Sequence, residues 1–386
     1  MGWRLTMSHF SSSSAPDGDQ AIALASAIAR TEYRDLALYS PERSPCAVDL
    51  SDNTNLWGVP PAALRALGDV SAATFSRYPS LYAHELREEL AAYLTETSGV
   101  SLSARWLTTG CGSDDVLDSA IRAFTRPGDT LAYIDPTFPM IPTFARMNGV
   151  VPVPVPLADG VRLDADAILR TEARIIYLCS PNNPTGATLA REQVEAVVRH
   201  APGVVILDEA YAEFAGDTFV NLLAKSDRLL VTRTMSKAFG LAGLRVGYAA
   251  GAPALVAEVE KSRGPYKVNA LAERAALAVL REDASWVQRR VREAQMVRAR
   301  LMRELEALEL RPLESSANFV LVPVAGAERI AARMRATGVA TRAFGELPGI
   351  GDALRITVGP WEMMDAVLRA LRSELLSATA GLPGTP

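Results

Sequence analysis

The sequence predicts an α/β protein: a large domain with a mainly parallel sheet flanked by helices, followed by a smaller C-terminal α+β domain. Three observations predict it. Short apolar runs, partly β-branched, recur between Leu131 and Ala249 and are bounded by Pro, Gly, Asn or Asp. Helical stretches such as Leu189–His200 alternate with them. After Tyr266 the alternation stops, and a long helical pattern runs to about Leu308 before two further strand-like runs.

The elements follow in order. The first 20 residues are polar and Ser-rich, which predicts a disordered tip. Gln20–Tyr33 has helical spacing, and Ser40–Pro45 is a Pro-punctuated link. Glu85–Leu94 repeats its apolar positions with a period near 3.6 and predicts an amphipathic helix. The apolar runs are Leu131–Ile134, Val150–Val155, Arg174–Cys179, Val204–Leu207, Leu229–Thr232 and Val246–Ala249. Continuous runs of this length read as strands buried on both faces, as in a parallel sheet. Ala317–Val322 and Leu354–Val358 read as late strands and Glu362–Ala378 as a final helix. The expected division is an N-terminal arm and helix over 1–47, a large domain over 48–270 and a small domain over 271–386.

Composition narrows the function. The chain has 386 residues, 49% hydrophobic and 22% charged, with a net charge of −4. A chain of this size buries a large core without staples. Its charge supplies no basic field for nucleic acid or anionic lipid. The Arg-rich run Gln288–Leu305 is interleaved with Glu and reads as a solvated helix face. The three cysteines, Cys46, Cys111 and Cys179, lack CxxC spacing, which argues against a disulfide framework or a zinc site. Met1–Pro16 lacks a signal-peptide core, and no later stretch is apolar enough to span a bilayer. The expectation is a cytoplasmic enzyme with no metal, acting on small molecules.

In open α/β sheets ligands sit beyond the carboxyl ends of the strands. The residues there are Asp135-Pro136-Thr137-Phe138, Ser180 to Gly186, Asp208-Glu209-Ala210-Tyr211 and Arg233 to Lys237, with Arg245 eight residues further on. A carboxylate, a phenol, an amide, an amine, a guanidinium and an aromatic ring would converge on one rim. That set suits a flat, anionic, heteroaromatic cofactor better than a metal or a nucleotide. Gly110-Cys111-Gly112-Ser113 precedes a helical stretch from Asp114 to Phe124. A helix N-terminus with glycine-freed amides is a good phosphate site. Asp115 at the third glycine position excludes a Rossmann fingerprint, and no Lys-Ser/Thr follows to make a P-loop.

Taken in order, Arg77-Tyr78-Pro79, Gly112–Asp115, Pro136–Phe138, Ser180–Gly186, Asp208–Tyr211, Thr234–Gly247, Ser316–Phe319 and Leu354–Gly359 carry a family pattern. The chain resembles the class I/II aminotransferases of fold type I, and among them the histidinol-phosphate aminotransferases, from about Val48 to Arg372. The resemblance implies the aspartate aminotransferase-like architecture and pyridoxal phosphate as cofactor. It implies that Lys237 holds the cofactor as a Schiff base and moves a proton as general base and acid. Asp208 would pair with the pyridinium nitrogen, Tyr211 and Asn183 would donate to the ring oxygen, and Phe138 would stack on the ring. Ser113, Asp114, Ser236 and Arg245 would hold the phosphate. Tyr78 would reach it from a partner subunit, which implies a homodimer with shared active sites. Arg355 would grip the substrate carboxylate with a two-pronged contact, supported by Asn318.

The substrate end departs from the family pattern. Where histidinol-phosphate aminotransferases read Asn-Glu-Asn-Pro-Tyr-Gly, this chain reads Asn53-Thr54-Asn55-Leu56-Trp57-Gly58. An indole donates only one hydrogen bond, and Trp57 favours an apolar or aromatic pocket. Arg342, thirteen residues before Arg355, matches the Arg that faces a distal phosphate; it could equally hold a distal carboxylate. Transamination between histidinol phosphate and 2-oxoglutarate/glutamate leads. An aromatic amino-acid aminotransferase and a phospho-amino-acid decarboxylase on the same scaffold are the alternatives. A ligand-sensing regulator would carry a DNA-binding segment, for which the N-terminal ~50 residues are too short and insufficiently basic.

Overall fold

The computed structural model describes residues 27–34, 36–38 and 45–380. The chain divides into two compact units, Met1–Pro41 and Glu42–Pro386. The described part of the first holds a short 3-10 turn, Thr31–Tyr33, with the Arg30 guanidinium over the Tyr33 ring. Of the helix expected over Gln20–Tyr33, Ala27 and Ile28 are helical and the chain then breaks at Ala29 and Arg30 before this turn; residues 20–26 and the Ser-rich tip lie outside the described residues.

The second unit opens with β1 (Val48–Asp49) and builds a sheet from β2 (Leu107–Cys111), β3 (Thr130–Asp135), β4 (Val151–Pro156), β5 (Ile175–Cys179), β6 (Val204–Asp208), β7 (Leu229–Thr234) and β8 (Val246–Gly251). The seven-stranded order is β2-β8-β7-β6-β5-β3-β4. β8 runs antiparallel to both neighbours, and the pairs joining β7, β6, β5, β3 and β4 are parallel. Every residue of β5, β6 and β7 is buried, as their unbroken apolar runs predict. β2 escapes sequence reading because Thr108, Thr109 and Gly110 interrupt any apolar run. Its place is set by the antiparallel ladder with β8, from Leu107↔Ala250 to Cys111↔Val246.

The long helical pattern after Tyr266 resolves into two helices, Ala270–Glu282 and Ala284–Glu306. They break at Asp283, whose carboxylate accepts the Ala62 amide at 2.7 Å. Beyond them lie β9 (Phe319–Pro323), β10 (Val339–Ala340), β11 (Arg342–Leu347) and β12 (Gly351–Thr357). β11, β12 and β9 form an antiparallel sheet in that order, and β10 pairs with β1. β11 is half-exposed and mixed in polarity, so it too lacks a strand signature. Helices Ala327–Ala336 and Trp361–Ala380 complete this region. Two apolar cores result: one around the seven-stranded sheet, the other around Leu301, Leu305, Val320, Leu354 and Ile356. Trp57 packs against both. No helix among the described residues is long and apolar enough to cross a membrane.

One buried ion network anchors the strand ends. The Arg233 guanidinium in β7 donates to Glu209 Oε2 at 2.9 and 2.7 Å, to Glu213 Oε1 at 3.2 Å and to Thr218 Oγ1 at 2.7 Å. Tyr93 closes it by donating to Glu213 at 3.3 Å. Burial pushes the Glu213 carboxyl up, and Arg233 opposes that push. The network ties the turn after β6 to its neighbouring strand. Arg233→Met is therefore expected to strand two buried carboxylates and cost about 3–5 kcal/mol, read as a fall in the thermal midpoint at pH 7. The loss should shrink under acid, as the Glu213 carboxyl, pushed up by burial, protonates.

Candidate active site

Because β5, β6 and β7 are parallel, their carboxyl ends lie on one edge. Register places Cys179 beside Asp208 and Asp208 beside Thr232. Asp208 is buried. Its Oδ2 accepts the Tyr177 hydroxyl at 2.9 Å, and its Oδ1 accepts the Ala210 amide at 3.1 Å. It forms no ion pair among the described residues. Burial raises its pKa from 3.8 to about 6 against the pull of these donors. The turn that follows carries Tyr211, whose ring meets Phe319 of β9 edge-on at 5.1 Å. The Tyr211 hydroxyl accepts the Asn53 side-chain amide at 3.1 Å.

Lys237 follows β7. Its half-buried Nζ donates to the Asp52 carbonyl at 3.1 Å and lies 5.9 Å from the centre of the Tyr211 ring. Desolvation, with the Arg355 charge nearby, lowers its pKa from 10.5 to about 8. Asn183 follows β5, between the cis peptides Ser180-Pro181 and Asn183-Pro184. Arg355 in β12 donates to Asn183 Oδ1 at 2.6 Å and to the Ser51 carbonyl at 2.7 Å. This use of Oδ1 leaves Nδ2 as the side-chain donor of Asn183. Thr137 Oγ1 donates to Asn182 Oδ1 at 2.8 Å, which ties the loop after β3, with Phe138, to the loop after β5. Phe138 is half-buried and packs on the main core.

A second cluster lies at the start of helix Gly112–Phe124. Arg245 adopts a left-handed backbone, φ 56°, and its carbonyl accepts the Gly112 amide at 3.0 Å. Its guanidinium reaches Asp114 at 3.2 Å and Ser236 Oγ at 3.5 Å. Ser236 Oγ is 2.9 Å from Thr234 Oγ1. The glycines here are obligatory: a Cβ on Gly112 would fall on the Arg245 guanidinium, and one on Gly247 on the Ser113 amide. Glycine-freed amides, a hydroxyl and a guanidinium at a helix N-terminus form an anion-binding set.

On the substrate side, Arg342 in β11 stands directly opposite Arg355 in the antiparallel ladder. Asn318 is buried and donates to the Asn53 carbonyl at 3.0 Å. The Trp57 amide is held by Asn55, whose side chain donates to the Ala238 carbonyl at 3.1 Å, next to Lys237. Tyr78 stands apart from this cluster in its contacts. It is 82% exposed and stacks on Tyr266 at 4.7 Å.

Residues 46–371 match the family model for aminotransferase class I and II. The chain belongs to the class I and II aminotransferases. Its relatives include the histidinol-phosphate aminotransferase of Thermoanaerobacter sp. (strain X514), 32% identical over 355 residues, covering 90% of this chain and 99% of the relative. That of Caldanaerobacter subterraneus subsp. tengcongensis is 34% identical over 354 residues, covering 90% and 98%. Among solved structures, the Sinorhizobium meliloti histidinol-phosphate aminotransferase in complex with pyridoxal-5′-phosphate is similar at a TM-score of 0.80 and 25% identity, covering 91% of this chain and 98% of that one. The aminotransferase is a pyridoxal-phosphate-dependent transaminase similar to the histidinol-phosphate enzymes.

The donor set fits this cofactor. The buried Asp208 carboxylate, without an ion-pair partner among the described residues, suits a protonated ring nitrogen. The anion-binding set at Gly112–Asp114, Ser236 and Arg245 suits the phosphate, and the lowered Lys237 amine suits attachment. Sequence reasoning missed Tyr177, Asn53 and Thr357. Tyr177 lies inside an apolar run, where nothing distinguishes it from core. Asn53 and Thr357 meet across 304 residues.

The Lys237 amine gives a direct readout. In the cofactor-free aminotransferase its acylation, followed by mass spectrometry of the labelled peptide, is expected to turn on with a midpoint near pH 8 rather than 10.5. The folded pKa lies below the unfolded one. This amine therefore destabilises the fold progressively as pH falls from 10.5 to 8, and by a constant amount below.

Proposed function

We propose that the aminotransferase moves the amino group of histidinol phosphate to 2-oxoglutarate, giving glutamate. The observation that carries the substrate side is Arg342 facing Arg355 across one antiparallel pair. Two like charges directly opposite repel, so the arrangement favours an anion between or beside them. A phosphate meets this on one half-reaction and the carboxylates of glutamate on the other. The histidinol-phosphate aminotransferases among its relatives support the same reading.

The cofactor supplies an electron sink for the charge left when the substrate Cα–H bond breaks. The chain's own residues do the rest. Lys237 would hold the cofactor, and its amine would carry the proton taken from the substrate Cα. Asp208 keeps the ring nitrogen protonated, since a buried carboxylate favours the charged partner beside it. Tyr211 and Asn183 donate to the ring oxygen. Phe138 covers the ring face. Ser113 and Asp114 through their amides, with Ser236 and Arg245, hold the phosphate. Arg355 takes the α-carboxylate by a bidentate contact, Arg342 takes the distal anion, and Asn318 acts through the Asn53 carbonyl that it holds.

The working unit is a homodimer in which the partner subunit's Tyr78 completes the phosphate site. Phe75, Tyr78, Leu81, Tyr82 and Tyr266 are all exposed, an apolar surface that self-association would cover. Free cysteines at positions 46, 111 and 179 suit a reducing cytoplasm. Trp57 favours a second reading, transamination of an aromatic amino acid, because an indole supplies an apolar wall where a phosphate site wants acceptor-matched donors.

A panel of amino donors against 2-oxoglutarate, histidinol phosphate included, decides between them. Histidinol phosphate is expected to give the highest kcat/KM; an aromatic amino acid ahead of it would transfer the assignment. Release of carbon dioxide with the keto acid untouched would indicate decarboxylation. Lys237→Ala is expected to abolish the borohydride-fixed cofactor. Arg355→Ala is expected to cost about 2–4 kcal/mol in kcat/KM, roughly 30- to 1000-fold, on donors with a free α-carboxylate.

A further inference from the structure

The strap Ser51–Asn53 runs between the large-sheet rim and the small sheet, and it carries a polarised chain of hydrogen bonds. The Asn53 backbone N–H donates to Thr357 Oγ1 at 3.0 Å. That hydroxyl accepts at this contact, so its own proton is available to Asn53 Oδ1, 3.1 Å away. Oδ1 is thereby committed to Thr357, and Nδ2 faces the Tyr211 hydroxyl at 3.1 Å. Turning the amide over would set two N–H donors on one hydroxyl and deprive the Thr357 proton of this acceptor. The backbone N–H at the start of the chain cannot reverse, so it sets the direction of every later bond.

Asn53 is buried, and its left-handed backbone, φ 58°, is one that Asn tolerates better than most residues. Its carbonyl is held by Asn318. The amide therefore reaches Tyr211 from a fixed position. A phenol has one proton. With Asn53 donating to the Tyr211 oxygen, that proton points away from Asn53.

We propose that Thr357 and Asn53 are positioning residues that set the direction of the Tyr211 proton, so that it is donated to the phenolic oxygen of the cofactor and not back into the protein. The inference rests on the reading of Tyr211 given under the proposed function. Donation spreads the negative charge of that oxygen and weakens its hold on the proton of the nitrogen joined to Lys237. The visible band of the bound cofactor then titrates at lower pH. The charged and titratable groups facing Lys237 are Arg355, Asp52, Asp114 and Arg245, and those facing Tyr211 are Arg355, Cys179 and Asp208. Substitution at Thr357 alters none of these charges.

The test is a spectrophotometric pH titration of the cofactor-loaded enzyme. Tyr211→Phe is expected to raise the midpoint by about one pH unit, the scale of one hydrogen bond to a charged group. Thr357→Val, which keeps the side-chain shape and removes the hydroxyl, should raise it by about half a unit or more. Thr357→Ser, which keeps the hydroxyl, should return the wild-type midpoint, and Asn53→Ala should move it in the same direction as Thr357→Val. In a Tyr211→Phe background, Thr357→Val should add nothing. A wild-type midpoint in both Thr357→Val and Asn53→Ala, alongside a shifted Tyr211→Phe, overturns the relay. So does a Thr357→Val shift that persists in full without the Tyr211 hydroxyl. If Tyr211→Phe leaves the midpoint in place, the assignment of Tyr211 to the ring oxygen fails, and the relay fails with it.

Discussion

The parallel register of β5, β6 and β7 is the constraint on which the rest of the site depends. It sets Cys179, Asp208 and Thr232 side by side. Each strand must then release its chain at the same edge, and the turns carrying Asn183, Tyr211 and Lys237 converge. Burial on both faces makes the register stringent, since a slip would move apolar side chains out of register with both helical layers. The same register brings the Tyr177 hydroxyl onto Asp208, because side chains two apart on one strand share a face. β8 reverses direction, and its ladder with β2 brings Gly247 against the Ser113 amide, so the proposed phosphate cradle is a product of the same sheet.

Buried charge is treated in two ways on this edge. Around Arg233 the carboxylates of Glu209 and Glu213 are paired and hydrogen-bonded, which offsets their desolvation. Asp208, next to Glu209 in the chain, has hydrogen bonds and, among the described residues, no ion pair. Burial lifts its pKa to about 6, so above that pH the fold without cofactor bears the cost of its ionisation. On the proposed function, a protonated ring nitrogen would remove that cost on binding. The paired triad thus ties the turn to β7, while the buried carboxylate beside it is the group proposed to meet a cation.

Where burial alone dictates the residue type, the sequence is legible. β5 to β8 were readable because strands buried on both faces are apolar over most of their length. β2 was not, because two threonines and a glycine suffice once β8 supplies its ladder. β11 was not, because one of its faces meets solvent. The site residues on strand ends could be found for the same reason as the strands, and the family pattern gathered them into one reading. Asn53 and Thr357 could not be found this way. Neither stands at the end of a large-sheet strand, and their roles exist only in the contact between segments 304 residues apart. Tyr177 was invisible for the opposite reason: among Ile175, Ile176 and Leu178 it reads as core, and only the position of its hydroxyl separates it from a packing residue.

The strap from Ser51 to Asn53 joins the cofactor side of the site to the substrate side. Ser51 accepts from Arg355, Asp52 accepts from Lys237, and Asn53 donates to Tyr211 while accepting from Asn318 and Thr357. Three consecutive residues therefore touch the proposed carboxylate clamp, the attachment amine and the proposed ring-oxygen donor. A substrate carboxylate arriving at Arg355 competes with the Ser51 carbonyl and Asn183 for the same guanidinium. Attachment of the cofactor to Lys237, as proposed, would likewise take from the Asp52 carbonyl its donor. On the proposed function, both ligands would therefore meet one segment whose far end donates to Tyr211. Two adjacent backbone carbonyls of one short strap thus accept from the two side chains proposed to take the substrate and the cofactor.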